Sequence, residues 1–290
     1  MRSPLPAVSA SSPGRPQRAG AGDGCVKILF IGDVVGAPGR AAVAAHLGRL
    51  RAAERIDLVI ANGENAAGGF GLTREVADDL FDLGVHVLTG GNHLWDKKEI
   101  RDFIGREPRI LRPANYPAPV PGARSGVFTT DGGLKVGVLS LMGRVFMPTT
   151  DCPFRAADEL VGALRLETPI IVVDIHAEAT SEKVAMGWYL DGRVSAVLGT
   201  HTHVPTADER VLPGGTAYLT DVGMTGPYDS VIGVIKEIAI GRFLEQTPRR
   251  LATATGDARL AAALLDVDEN TGRARSIRRL HLATDDRQRT

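Results

Sequence analysis

The chain has 290 residues, of which 43% are hydrophobic and 23% charged, and its 34 basic side chains are balanced by 34 acidic ones. Zero net charge argues against strong nucleic-acid binding, which draws its affinity from surplus cations, and no stretch supplies the ~20 consecutive apolar residues of a membrane span. Two cysteines, Cys25 and Cys152, are too few for a disulfide scaffold; a reducing cytoplasm is the expected setting, and a chain of this length is expected to bury its own core.

Residues 1–25 are rich in Pro, Ser, Gly, Ala and Arg and have almost no large apolar side chains. Such a segment cannot offset the entropy of ordering and is expected to be a disordered tail. It lacks the apolar core of a signal peptide. From Val26 onward, short β-branched runs alternate with helix-like segments. Strands are expected over 27–31, 57–61, 85–89, 135–141, 169–175, 195–199 and 216–220. Most of these runs are continuously apolar, as suits strands covered on both faces. Helices are expected over 40–54 after Pro38, over 73–83 with Thr73 at the start and Gly84 at the stop, over 96–105 and over 156–166. Near the end, 250–255 and 260–266 read as strands, 268–272 as a turn and 274–282 as a returning strand. This antiparallel piece is expected to complete one domain over 26–284, with residues 285–290 frayed.

The polar residues collect at the ends of the apolar runs. KILFIGD ends at Asp33, DLVIANGEN at Glu64 and Asn65, VHVLTGGNH at Asn92 and His93, PIIVVDIHAE at His176, and SAVLGTHTH at His201 and His203. In open α/β sheets ligands bind outside the carboxyl ends of the strands. Asp33, Glu64 and Asn92 also recur at the ~30-residue spacing of a βα repeat. Carboxylate, imidazole and amide donors suit a borderline or hard divalent metal, and the absence of thiolates argues against a structural zinc site or an iron–sulfur cluster. Enough donors are present for two ions, with Glu64 or Asp33 as the shared carboxylate. Such a pair generates a nucleophile near neutral pH and clamps the oxygens of a phosphate.

Single residues carry less. His46, His86 and His281 read as packing residues. His201-x-His203 places both rings on one side only if the backbone there is extended. GDVVGAPG follows a strand and precedes a helix, but its glycine spacing is not that of a dinucleotide fingerprint, and Asp33 would repel a pyrophosphate. The loop 220–230 is read equally well as a phosphate-contacting loop or as a structural turn. Phe70 and Tyr228 read as packing residues rather than base-stacking ones.

Taken together, GDVVG at 32–36, GEN at 63–65, GGNH at 90–93, DIHAE at 174–178 and GTHTHV at 199–204 resemble the calcineurin-like metallophosphoesterase superfamily. Val34 and Val35 stand where the general pattern has the histidine of D-x-H, and GEN replaces GD. Both departures resemble the YmdB-like phosphodiesterases. NGENAAGG, GNHLWDKKEI, RPANYP, HAEATSEK, GTHTHVPTAD and TDVGMTGPYDS are similar to that branch as well, from about Lys27 to about Leu282. Only 120–126 and the segment 232–241, read as a helix, look less typical.

The resemblance implies a four-layer α/β/β/α metallophosphoesterase sandwich with a two-metal centre. It implies Asp33 and His203 on the first metal with Asn65 beside it, Asn92, His176 and His201 on the second, Glu64 bridging, and His93 as general acid. It implies attack by a metal-bridging hydroxide on a cyclic nucleotide of the 2′,3′-cyclic AMP type, with iron or manganese ahead of zinc or magnesium. The expected partner is a small phosphodiester rather than a membrane, and a homo-oligomer is expected. Two alternatives use the same residues: a phosphomonoesterase, and a regulatory nucleotide- or RNA-binding protein with incidental hydrolysis. A metal-dependent amidohydrolase fits less well, because its H-x-H is expected after the first strand.

Overall fold

The computed structural model describes residues 24–284. The expected tail over 1–25 and the frayed end over 285–290 therefore lie outside the described residues, except that Cys25 already opens the first strand, paired with Asp268. In chain order the elements are β1 Cys25–Ile31, α1 Gly36–Glu54, β2 Leu58–Asn62, α2 Arg74–Asp82, β3 Val87–Thr89, α3 Ile100–Phe103, β4 Ile110–Leu111, β5 Ser125–Thr129, β6 Lys135–Met142, α4 Pro153–Leu164, β7 Ile171–His176, α5 Thr180–Leu190, β8 Ala196–Thr200, β9 Arg210–Val211, β10 Ala217–Leu219, β11 Gly226–Pro227, α6 Lys236–Glu245, β12 Ala258–Asp268 and β13 Ala274–Ala283.

Two mixed sheets result. One has the order β11-β12-β1-β2-β3-β4, with β13 paired to β12; the other has the order β5-β6-β7-β8-β10-β9. β1, β2, β3 and β4 run parallel, as do β6, β7, β8 and β10. The expected C-terminal hairpin forms, and β12 pairs antiparallel with β1 over its whole length, which ties the chain's end to its beginning.

The continuous apolar runs have a direct explanation in the layering. Along β1, Val26, Ile28 and Phe30 face the other sheet, whereas Leu29 and Ile31 face the helices. Along β7, Val172 points inward, and Ile171, Val173 and Ile175 point to the opposite helices. Both faces of each strand are thus dry, so no alternation survives in the sequence. The first sheet is covered by Val43 and Leu47 of α1, Leu80 of α2 and Phe103 of α3. The second is covered by Val161 of α4 and by Met186 and Leu190 of α5. The architecture is therefore the expected α/β/β/α sandwich. Phe30, fully buried between the sheets, is expected to cost about 3–5 kcal/mol when replaced by alanine, measured by denaturant unfolding.

Local signals hold at several boundaries. The Thr73 hydroxyl accepts the Val76 N–H and caps α2. Pro38 falls in the first turn of α1, where its missing N–H costs nothing. Two expectations are corrected. The helix expected over 96–105 is broken into an irregular turn, the single-turn α3 and a 3-10 turn, Ile104–Arg106, while a separate 3-10 turn, Asn92–Trp95, precedes it and carries His93. The strand expected over 250–255 is an irregular segment whose Thr253 makes one bridge to Val234, because its backbone bonds go to residues 233 and 235 rather than to a strand of either sheet. No helix among the described residues is long and apolar enough to cross a membrane.

Candidate metal centre

β1, β2, β3, β7 and β8 all point their carboxyl ends at the same edge of the sandwich, and each delivers polar residues there. His176, the last residue of β7, sits at the middle and is fully buried. Its Nε2 lies 3.0 Å from Glu64 Oε1, 3.1 Å from Asn92 Oδ1 and 3.1 Å from His201 Nδ1. Its Nδ1 lies 2.9 Å from the Thr200 hydroxyl, which itself donates to Asp174 at 2.7 Å. Asp174 also accepts from the Thr89 hydroxyl at 2.5 Å and the Asn62 amide at 3.1 Å. Burial pushes the Asp174 carboxyl up to about 6.

This relay orients the ring. The single Thr200 hydroxyl proton goes to Asp174, so Thr200 accepts the Nδ1 proton of His176 and leaves Nε2 facing the cluster. The other imidazoles are held in the same way. His201 Nε2 pairs with Glu178 at 3.1 Å, which turns Nδ1 inward. His203 Nδ1 donates to the Ile232 carbonyl at 2.8 Å, which turns Nε2 toward Asn65 Nδ2 at 3.3 Å and Asp33 Oδ1 at 3.9 Å. Glu64 takes the His93 N–H on its second oxygen at 2.9 Å, and Asp33 Oδ2 takes the His201 N–H at 3.2 Å.

The donor set fits cations. Glu64, His176 and His201 offer ligand atoms within 4.8 Å of one another. The buried oxygens Asp33 Oδ1 and Asn65 Oδ1 have no hydrogen-bond partner, a costly state for acceptors unless something positive completes them. Two of these groups also attract each other. Burial disfavours the charged form of both Glu64 and His176, but their mutual attraction wins; Glu64 is drawn down to about 2 and His176 is pushed up to about 9. Burial, then the facing His176, draws His201 down to about 3, which keeps it neutral.

The backbone carrying His201 and His203 is not the extended one that the H-x-H spacing requires. Their φ angles are 98° and 65°, both left-handed. The rings converge through a tight turn instead of through strand alternation. A buried ion pair holds that turn: Lys183 Nζ lies 2.7 Å from Asp221 Oδ2, and Asp221 also accepts the Thr202 N–H, the Thr202 hydroxyl and the Gly223 N–H. Replacing Lys183 by methionine leaves a buried carboxylate without its counter-charge, which costs about 3–5 kcal/mol. Thermal unfolding is expected to show that loss, and metal titration a weaker uptake; unchanged uptake would mean that the remaining hydrogen bonds suffice to hold the turn. Close approach also matters at Gly91, where a Cβ would stand 2.1 Å from the His176 ring, so the GGNH segment reaches the cluster only as glycine.

All eight residues singled out in the sequence meet in this region: Asp33, Glu64, Asn65, Asn92, His93, His176, His201 and His203. His93 stands at its mouth, with Nδ1 2.8 Å from Asp96 and its ring edge-on to Phe70. A cleft of about 430 Å³ opens there, lined by Glu64, His93, His201 and Arg242 and by the apolar Phe70, Ile232, Val234 and Leu251. His46, His86 and His281 lie elsewhere, bonded to the Ala283 carbonyl, to the Val59 N–H and against Tyr228. The loop 220–230 is a scaffold: its N–H groups hold the carbonyls of Asp33, Gly199 and His203. Sequence reasoning missed Glu178, Lys183, Thr200 and Asp221. Lys183 and Glu178 stand in HAEATSEK, but a charged residue next to or within a helix ordinarily reads as solvated.

A two-sheet sandwich with oxygen and nitrogen donors gathered at its parallel strand ends defines a metallophosphoesterase-type protein. The sequence matches the model of the YmdB-like protein family over residues 29–280, and the chain belongs to that family. It is 49% identical over 261 residues to the 2′,3′-cyclic-nucleotide 2′-phosphodiesterase of Bacillus subtilis, an alignment covering 90% of this chain and 98% of the relative. A solved structure of a hypothetical protein from Thermus thermophilus superposes with a TM-score of 0.84 at 47% identity, covering 89% of this chain and 99% of that one. A structure described as a novel phosphatase of Mycoplasma pneumoniae gives a TM-score of 0.84 at 35% identity, covering 89% and 94%.

Proposed function

We propose that this chain is a metal-dependent phosphodiesterase that hydrolyses 2′,3′-cyclic nucleotides. The observation that carries the reading is the meeting of Glu64, His176 and His201 within 4.8 Å, beside the buried and unpartnered oxygens of Asp33 and Asn65. Asp33, Asn65 and His203 are assigned to one divalent ion, Asn92, His176 and His201 to a second, and Glu64 to both. When bound, such a pair supplies a nucleophile at neutral pH and balances charge on the phosphoryl oxygens. The imidazole content favours manganese or iron over magnesium.

The chain's own groups do the rest. Glu178, Thr200 and the Ile232 carbonyl fix the tautomers of the three histidines, so that no ring must reorient during the reaction. Asp96 holds His93 through Nδ1, which leaves Nε2 to hand a proton to the departing alkoxide as the P–O ester bond breaks. Water supplies the new P–O bond, and one ester of the cyclic diester becomes a hydroxyl.

The test is metal analysis of the purified protein together with a panel of 2′,3′-cyclic nucleotides, linear diesters and monoesters. Two equivalents of metal and cleavage of cyclic diesters are expected. Faster cleavage of monoesters than of diesters would favour the phosphatase named for the Mycoplasma pneumoniae structure. Chelation is expected to abolish turnover and lower Tm, since an ion bound only to the folded state stabilises it by mass action. Full activity of the metal-free protein would remove the reading.

A further inference from the structure

Part of the apolar lining of the cleft is carried by backbone that is rare for its residue type. Ile232 is β-branched, yet it lies at φ 46°, a conformation that a β-branched residue rarely adopts. Its side chain is 53% exposed, so burial does not compensate. Glycine would fit this position without strain, as Gly233 does next to it at φ 101°. The two sit in a tight turn in which Val231 and Val234 exchange both N–H···O bonds, at 2.9 and 3.0 Å. The Ile232 carbonyl is the group that holds His203. The turn explains the carbonyl; it does not explain the isoleucine side chain.

Phe70 belongs to the same cleft and is also presented by unusual backbone. Gly68, Gly69 and Gly71 around it all have positive φ, at 73°, 97° and 81°. Its ring packs edge-on to His93 at 5.1 Å. Phe70, Ile232, Val234 and Leu251 line the cleft together with Glu64 and His93. A cleft in which charged, proton-transferring groups lie directly beside aromatic and aliphatic side chains, with Phe70 against His93, fits a ligand whose anionic group is joined to a flat apolar one.

We propose that Phe70 and Ile232 form the nucleobase site, which makes the substrate a nucleotide with its base attached rather than a bare sugar phosphate. This rests on the phosphodiesterase reading and extends it. Strained backbone persists at a functional site when the side chain it carries is needed there. Ile232 is that case: its main chain positions His203, and its side chain covers the base of the substrate that His203 helps to bind.

The experiment compares 2′,3′-cyclic AMP with ribose 2,3-cyclic phosphate, which has the same reacting group and no base. The readout is the ratio of their kcat/KM values in wild type, Phe70→Ala and Ile232→Gly. Each variant is expected to lower the ratio by about tenfold, the size of one lost base-stacking contact, chiefly through KM for the nucleotide. Ile232→Gly is also expected not to lower Tm, because glycine relieves the backbone. A ratio unchanged within twofold in both variants overturns the proposal. A merely structural role would depress both substrates together and leave the ratio intact. If wild type cleaves neither compound, the phosphodiesterase reading fails instead. The base site is then judged by titrating 3′-AMP against ribose 3-phosphate into the same three proteins. The same tenfold ratio loss supports it, and equal affinities for the two ligands overturn it.

Discussion

Replacing Glu64 by alanine is expected to empty the centre of metal and to abolish hydrolysis together. Glu64 is fully buried, and its two oxygens reach different partners, His176 Nε2 on one side and the His93 N–H on the other. Its two oxygens thus point to different sides, as the proposed sharing between two ions would require. Removing Glu64 deletes the negative charge at His176 Nε2 and leaves that nitrogen facing Asn92 and His201. Changing a group that merely supports a metal ligand costs 10–100-fold in affinity; a shared ligand is expected to cost more than about 100-fold. Metal analysis after gel filtration checks this, and Glu64→Gln separates charge from shape, since the amide keeps the volume but not the ionic attraction. Two equivalents of metal retained in Glu64→Ala would show that Glu64 is not a shared ligand.

Replacing His93 by alanine is expected to have the opposite profile: metal retained, turnover lowered by roughly 10²–10⁴-fold. The reason is geometric. The His93 group that touches Glu64 is its backbone N–H, which alanine keeps, while the imidazole is bonded to Asp96 and packed on Phe70. The loss should depend on the leaving group. A substrate expelling p-nitrophenolate needs little protonation, so the variant should be impaired far less on it than on a cyclic nucleotide. Equal impairment on both would remove His93 from the role of acid. Asp96→Asn is expected to show a weaker form of the same pattern, because it loosens the ring without deleting it.

The candidate site was legible because its residue types are unusual where they occur. Carboxylates, amides and imidazoles at the ends of five apolar strands are expensive to bury, so their repetition stood out against the apolar runs. The layered fold was legible for a related reason: strands such as 27–31 and 169–175 are apolar at nearly every position, which requires cover on both faces. Short elements were not. β4 and β11 have two residues each and carry no period to detect. α5 begins with polar Thr180, Ser181, Glu182 and Lys183 and includes Gly187, so it lacks a clean apolar stripe. It nevertheless packs Met186 and Leu190 into the outer core. The strand expected over 250–255 failed because its backbone pairs with residues 233–235, a partner set by the tertiary structure and not by the segment.

Sequence alone determined which chemistry this protein carries and that its strands form a core closed on both sides, since donor type and apolar run length are local properties of the chain. Tertiary structure decided which nitrogen of each histidine faces inward, because Thr200, Glu178 and the Ile232 carbonyl come from other segments. It decided that His201 and His203 converge through left-handed backbone, since the buried Lys183–Asp221 pair and the hydrogen bonds with Asp33 and Met224 that hold that segment come from elsewhere in the chain. It also placed Ile232, which the sequence put at the start of a helix over 232–241, in a tight turn on the cleft wall, and the helix begins only at Lys236. Contacts between residues far apart in the chain obey the geometry of packing, and no periodicity records them.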